Sequence, residues 1–236
     1  MRQLAPVPAA GVWTAMAATP FFRDVAPARV EAFAAGGTIR RYRRGTYVCH
    51  QDDPSSEIFF LVGGKLEIST VAPTGTRVFH AAIDEPAFVG ELGILGGTTR
   101  TATALAVRDA DVWAAPGGSF LDAIASEPMA ARAALRALAR QVQAHQALVD
   151  DLLFLDLKGR VAKRLLQMVT PDLDRLPDDG VMVPEVTQAD LASLCGGSRE
   201  NVTRILKEFE RRGLVRRDGH RYVLRKVAAL AKLAGS

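Results

Sequence analysis

Cysteine is nearly absent: Cys49 and Cys195 are the two in 236 residues. A disulfide framework and a cluster held by four thiolates are thereby excluded, and the chain is expected to be reduced and cytoplasmic. Long apolar runs are missing too. The uncharged stretch from Gln3 to Phe22 faintly suggests a signal peptide, but Pro6, Pro8 and Pro20 interrupt it and its large apolar residues are scattered. Residues 1–20 are expected to form a flexible arm. No other run is apolar enough to span a membrane. Nucleophile–base constellations and clustered carboxylate pairs are also lacking, so the chain is not expected to be an enzyme. Of the histidines His50, His80, His145 and His220, His80 falls in a strand-rich region. There a surface or satisfied core residue is a plainer reading than a haem ligand, and no metal is expected.

What is present is a globular composition, 48% hydrophobic and 24% charged, with length for two domains. The net charge of +4 is unevenly spread. Residues 155–236 carry 16 Lys/Arg against 11 Asp/Glu, and the preceding residues 14 against 15. The basic excess belongs to the C-terminal third, where a nucleic acid partner would need it.

That third holds Thr187-Gln-Ala-Asp-Leu-Ala-Ser-Leu-Cys-Gly-Gly-Ser-Arg-Glu-Asn-Val-Thr-Arg-Ile-Leu206. Leu191 and Leu194 give a first helix its apolar face, and Gly196-Gly197 allows a tight bend. Ser198 can cap a second helix, whose Val202, Ile205, Leu206 and Phe209 form one apolar face. Arg199, Glu200 and Arg204 then point outward near its N-terminal end, the position a helix-turn-helix presents to the major groove. Either arginine can grip guanine bidentately, and Glu200 can accept from cytosine. Leu214–Arg217, an Asp218-Gly219 turn and His220–Leu224 predict a β-hairpin wing. Lys207, Arg211, Arg216, Arg217 and Arg221 are candidates for phosphate contact.

Upstream, from about Thr38 to Ala115, short β-type runs alternate with turn signals. They include Tyr47–Cys49, Glu57–Val62, Lys65–Thr70, Val78–Ile83 and Asp111–Trp113, separated by Arg44-Gly45, Asp53-Pro54, Gly63-Gly64, Glu85-Pro86 and others. The spacing predicts a small antiparallel barrel or roll. A long helix follows, with Ser126 as its cap and Pro128 in its first turn. Leu135, Leu138, Val142, His145, Val149 and Leu152 step alternately by three and four, the seam of a two-stranded coiled coil. Asp156 can cap a fresh helix and marks a hinge. The fold class is therefore α+β: an N-terminal antiparallel β-roll, a dimerisation helix and a C-terminal winged helix-turn-helix. Its parts are the arm 1–20, the roll 21–125, the helix and hinge 126–155 and the DNA-binding domain 156–236.

A second cassette lies within the roll. Phe88-Val-Gly-Glu-Leu-Gly-Ile-Leu-Gly-Gly-Thr-Thr-Arg-Thr-Ala-Thr103 is a glycine-rich turn entering a short helix. Backbone N–H groups near Gly90 and Leu92, the planar cation of Arg100 and the Thr101 hydroxyl suit a phosphate, and Glu91 suits a sugar hydroxyl.

With these motifs in hand, the chain resembles the cyclic AMP receptor protein/fumarate-nitrate regulator family of bacterial transcription factors from Phe21 onward. The cassette and Ser198-Arg199-Glu200…Arg204 resemble the cyclic AMP receptor protein branch. That resemblance implies a homodimer joined through residues 129–153, double-stranded DNA bearing a TGTGA-like inverted repeat, and RNA polymerase as a partner. It implies cyclic AMP as effector, with Glu91 on the ribose 2′-hydroxyl and Arg100 and Thr101 on the cyclic phosphate. The branch carries threonine and serine as adenine contacts where this chain has His145 and Gln146. His145 is a base contact of altered specificity, a polar seam residue that sets register, or a pH or metal sensor. Cyclic GMP, cyclic di-GMP and a constitutive, ligand-independent regulator stay open. Cys195 reads as packing, or as a redox switch if its thiol is exposed.

Overall fold

In a computed structural model of the chain, residues 9–75, 77–169, 180–219 and 221–235 are described. Two compact units divide between Val142 and Gln143.

The first unit is built on two long strands, β3 (Glu57–Val71) and β6 (Thr103–Pro116), that pair antiparallel. Neighbours change along their length. On β6 sit β1 (Thr38–Tyr42) and then β2 (Tyr47–Cys49), and on β3 sit β5 (Ala87–Val89) and β4 (Arg77–Ile83), all antiparallel. This exchange of partners wraps one six-stranded sheet into the expected roll. The Gly63-Gly64 pair does not end a strand, contrary to expectation. The register of β3 against β6 slips there, and Gly64 holds φ +101° where a Cβ would lie 2.3 Å from the Asp109 carbonyl oxygen. The pair is a bulge that bends a continuous strand against its partner.

The roll closes on an aromatic core. Phe21, Phe22, Phe33, Phe60, Phe88, Trp113 and Phe120 are buried together, and the Trp113 indole N–H donates to Ala34 O at 2.9 Å. Each such ring contributes roughly 1.5–3 kcal/mol by leaving water. Helix α1 (Ala9–Ala17) and α2 (Pro27–Ala35) lie over this core. Val12 and Met16, one turn apart, are buried, and the Thr19 hydroxyl donates to Met16 O at 2.6 Å. The flexible arm expected over residues 1–20 is thus ordered from Ala9, and residues 1–8 lie outside the described residues. Helix α4 (Gly117–Ala125) was not foreseen. Ser126 is its C-cap rather than the N-cap of the long helix α5 (Pro128–Phe154), which opens on Pro128.

In the second unit Asp156 caps α6 (Leu157–Gln167), its Oδ1 accepting from Gly159 N at 2.7 Å. Helix α7 (Gln188–Leu194) is capped by Thr187, α8 (Arg199–Arg211) by Ser198, and α9 (Val227–Leu233) packs on α6. Strands β8 (Val215–Asp218) and β9 (Arg221–Leu224) form the wing, and β7 (Val181–Met182) adds a third strand on β9. Asp218 pairs with Arg221, so the reversal falls one residue later than the expected Asp218-Gly219 turn. His220 and residues 170–179 lie outside the described residues.

Candidate functional site

The cassette is assembled where β5 runs into α3 (Glu91–Leu95). Gly90 turns the chain at φ +84°, and a Cβ there would lie 2.1 Å from Arg100 Nη1. Only glycine allows both the left-handed turn and that approach. Arg100 is 3% exposed. Its Nη1 donates to Gly90 O at 3.0 Å, Nη2 donates to Glu57 O, and the guanidinium stands 4.8 Å over the Phe59 ring. Nε has no partner, and among the described residues no carboxylate lies within ion-pair distance of this side chain. A buried cation with an open donor and no paired anion is costly unless an anion arrives.

Glu91 sits beside it with its carboxyl largely desolvated. Burial raises its pKa, while its own backbone N–H, the Gln141 amide and the Arg100 charge pull the other way. Gln141 of α5 donates to Glu91 Oε1 at 3.3 Å. That residue was not among the expected contacts, because nothing local to its sequence marks it. Gly90, Glu91, Leu92 and Arg100 come together, and Thr101 follows as an exposed hydroxyl. His145 and Gln146 are exposed on α5 and belong to the second unit. Along that helix Leu135, Val142, Val149 and Leu152 are 67%, 56%, 53% and 55% exposed, so the apolar seam is uncovered within a single chain.

The surface expected to read DNA lies in the second unit. Val202, Ile205, Leu206 and Phe209 are buried, which leaves Arg199, Glu200, Arg204 and Lys207 exposed on the other side of α8. The Ser198 hydroxyl accepts from Asn201 N at 3.2 Å, and Asn201 Oδ1 accepts from Arg204 at 3.1 Å. A bridge unseen in the sequence fixes the angle of α7 to α8. Gln188 donates to the Tyr222 hydroxyl at 3.1 Å and accepts from Thr203 at 2.9 Å. Gln188, Tyr222, Arg199 and Arg217 line one concave patch beside the wing. Arg216 and Arg217 are exposed, and Arg217 Nε donates to Gly219 O at 3.1 Å.

Cys195 does not face outward. It is 2% exposed, and burial pushes its thiol to about 11 against the lowering influence of Arg164 and Arg160. A thiol buried in this way lacks the exposure that the redox-switch reading requires. His80 Nε2 lies 2.8 Å from the Thr70 hydroxyl, and the described residues contain no group of three or more metal-ligating side chains. No helix among them is long and apolar enough to cross a membrane.

Comparison with known proteins addresses both surfaces. Residues 39–127 match the cyclic nucleotide-binding domain and residues 159–233 the Crp-like helix-turn-helix domain. The chain is 27% identical over 219 residues to a CRP-like cAMP-activated global transcriptional regulator of Mycobacterium tuberculosis, covering 93% of this chain and 98% of that one. Among solved structures, the Thermus thermophilus catabolite activator protein is similar at 26% identity and a TM-score of 0.53, over 92% of this chain and 99% of that one. The c-di-GMP responsive regulator CLP of Xanthomonas campestris shares the fold, with 23% identity, a TM-score of 0.69, and coverage of 84% and 99%.

Proposed function

The chain belongs to the cyclic AMP receptor protein/fumarate-nitrate regulator family of transcription regulators, and we propose that it is a homodimer gated by cyclic AMP that reads a TGTGA-like inverted repeat. The observation that carries the effector reading is Arg100: a buried guanidinium with an unpartnered Nε and, among the described residues, no carboxylate within ion-pair distance, beside a desolvated Glu91. A cyclic phosphate supplies the missing acceptor and charge together. The Thr101 hydroxyl donates to the same phosphate, the backbone at Gly90 and Leu92 forms its floor, and the Glu91 carboxylate accepts from the ribose 2′-hydroxyl. His145 and Gln146 contact the base.

Two copies pair through residues 129–153, burying the exposed seam of α5. The roll over residues 21–125 senses, residues 126–155 join the copies, and residues 156–236 dock on DNA. The two-fold axis places each α8 in one of two adjacent major grooves. There Arg199 and Arg204 grip guanines, Glu200 accepts from a cytosine, and Ser198, Lys207 and Arg217 hold phosphates. Effector binds the DNA-competent arrangement of the dimer more tightly than the other and so shifts the population toward it. RNA polymerase is the further partner, the compartment is the cytoplasm, and the chain performs no catalysis.

Calorimetric titration of the full chain with cyclic AMP, cyclic GMP and cyclic di-GMP tests the effector. Saturable heat is expected with cyclic AMP at the lowest concentration of the three. Absence of heat with all of them would leave a constitutive regulator.

A further inference from the structure

Arg160 has no role in the scheme above, yet its side chain is the most heavily engaged cation of the second unit's helical junction. It lies in the first turn of α6, with its backbone N–H bonded to Asp156 O at 3.0 Å. Its Nη1 donates to Leu155 O at 2.8 Å, directly after the last residue of α5. Its Nε donates to Cys195 O at 2.7 Å and Nη2 to Gly196 O at 3.4 Å, at the end of α7 and the start of the bend into α8. Arg164, one turn on, donates to Leu194 O at 3.5 Å. Helix ends leave carbonyls without intrahelical partners and carry the negative pole of the dipole. A single planar cation therefore serves the C-terminal ends of two helices.

Packing reinforces the junction. A Cβ on Gly196 would lie 3.0 Å from Leu152 of α5, and one on Gly197 would lie 2.6 Å from Leu157 of α6. Lys163 pairs with Asp151 at 2.5 Å, tying α6 to the final turn of α5.

We infer that Arg160 is a positioning residue, a three-carbonyl staple that carries displacement of the long helix's end to the turn ahead of the recognition helix. The inference rests on the gated reading above. Arginine is required because its donors lie fixed in one plane and reach carbonyls of two separate segments at once. A lysine ammonium keeps the charge but cannot span them.

Arg160→Lys in the full chain separates fork from charge. Anisotropy of a labelled inverted-repeat duplex gives the gain in DNA affinity caused by saturating cyclic AMP. That gain is expected to fall about tenfold, the worth of losing charge-assisted hydrogen bonds, while the calorimetric Kd for cyclic AMP stays within about twofold. In a Cys49→Ala background, a thiol reagent is expected to label Cys195 about tenfold faster once the staple is loosened. Asp151→Asn, which breaks the neighbouring ion pair and touches no carbonyl of the bend, is expected to leave the labelling rate unchanged. Unchanged gain and unchanged labelling in Arg160→Lys would overturn the inference. Should the lysine chain not fold, Arg160→Gln is read by the same labelling arm, where an unaltered rate overturns it equally. If the wild-type chain shows no gain with cyclic AMP, the gated reading fails by itself, and the labelling rate still decides whether the staple exists.

Discussion

The side-chain amide of Gln141 donates to Glu91 Oε1 at 3.3 Å, so helix α5 reaches the effector cassette through a neutral hydrogen bond rather than an ion pair. The consequence is a carboxyl that burial can push upward, since a neutral amide opposes desolvation less than a cation would.

Two pH dependences of opposite sign follow from that carboxyl. With its folded pKa raised, Glu91 contributes stability below its unfolded pKa, and this is lost as pH rises through the folded value. A ribose hydroxyl needs the ionised form as its acceptor, so cyclic AMP affinity is expected to climb across the same window. Glu91→Gln should flatten both slopes, read as thermal midpoint against pH and calorimetric Kd against pH. A variant that kept the wild-type slopes would assign them to another group.

Arg100→Lys is expected to weaken cyclic AMP binding by roughly 10–100-fold, the value of a charge-assisted pair lost to a poorer geometry. It should also lower the thermal midpoint without ligand, because Gly90 O and Glu57 O lose their donors. Calorimetry and thermal denaturation report the two effects separately. An unaltered Kd would place the phosphate elsewhere.

On the DNA side, Arg199→Ala should cost roughly 1–3 kcal/mol on the cognate duplex and relax preference at one base position. Arg217→Ala should weaken all sequences about equally and reduce the salt dependence of binding. Anisotropy against a panel of single-substitution duplexes at several salt concentrations distinguishes them. Equal losses on every duplex for both variants would contradict the division of roles.

Val149→Glu places a charge on the exposed seam of α5 without disturbing a buried contact of the single chain. It is expected to shift sedimentation from dimer to monomer at micromolar concentration and to abolish binding to the full inverted repeat, leaving the thermal midpoint of the roll near its original value. A variant that stayed dimeric would move the interface off this helix.

The features legible in the sequence are those whose cause is local. The recognition helix was readable because Ser198, Val202, Ile205, Leu206 and Phe209 lie within four turns, and each does what its type and spacing suggest. The cassette was readable as an ordered set of glycine, carboxylate and guanidinium. Residues 1–20 read as an arm because prolines interrupt the stretch and its large apolar residues are scattered. The helical packing of α1 depends on the aromatic core that receives Val12 and Met16. Gly63-Gly64 looked like a turn, and only the approach of Asp109 and Ala110 on β6 makes it a bulge. Ser126 can cap either neighbouring helix, and tertiary placement chose α4. Gln141 with Glu91, and Gln188 with Tyr222, are meetings between residues far apart in the chain, for which spacing carries no signal.

The central claim, that cyclic AMP gates recognition of an inverted repeat by a dimer, is tested most directly by anisotropy of a labelled duplex carrying two TGTGA half-sites in dyad arrangement, with and without cyclic AMP. The account expects one dimer per duplex, at least tenfold tighter binding with cyclic AMP, and loss of that gain when one half-site is scrambled. Affinity that is the same with and without the nucleotide, on the intact repeat, would contradict it.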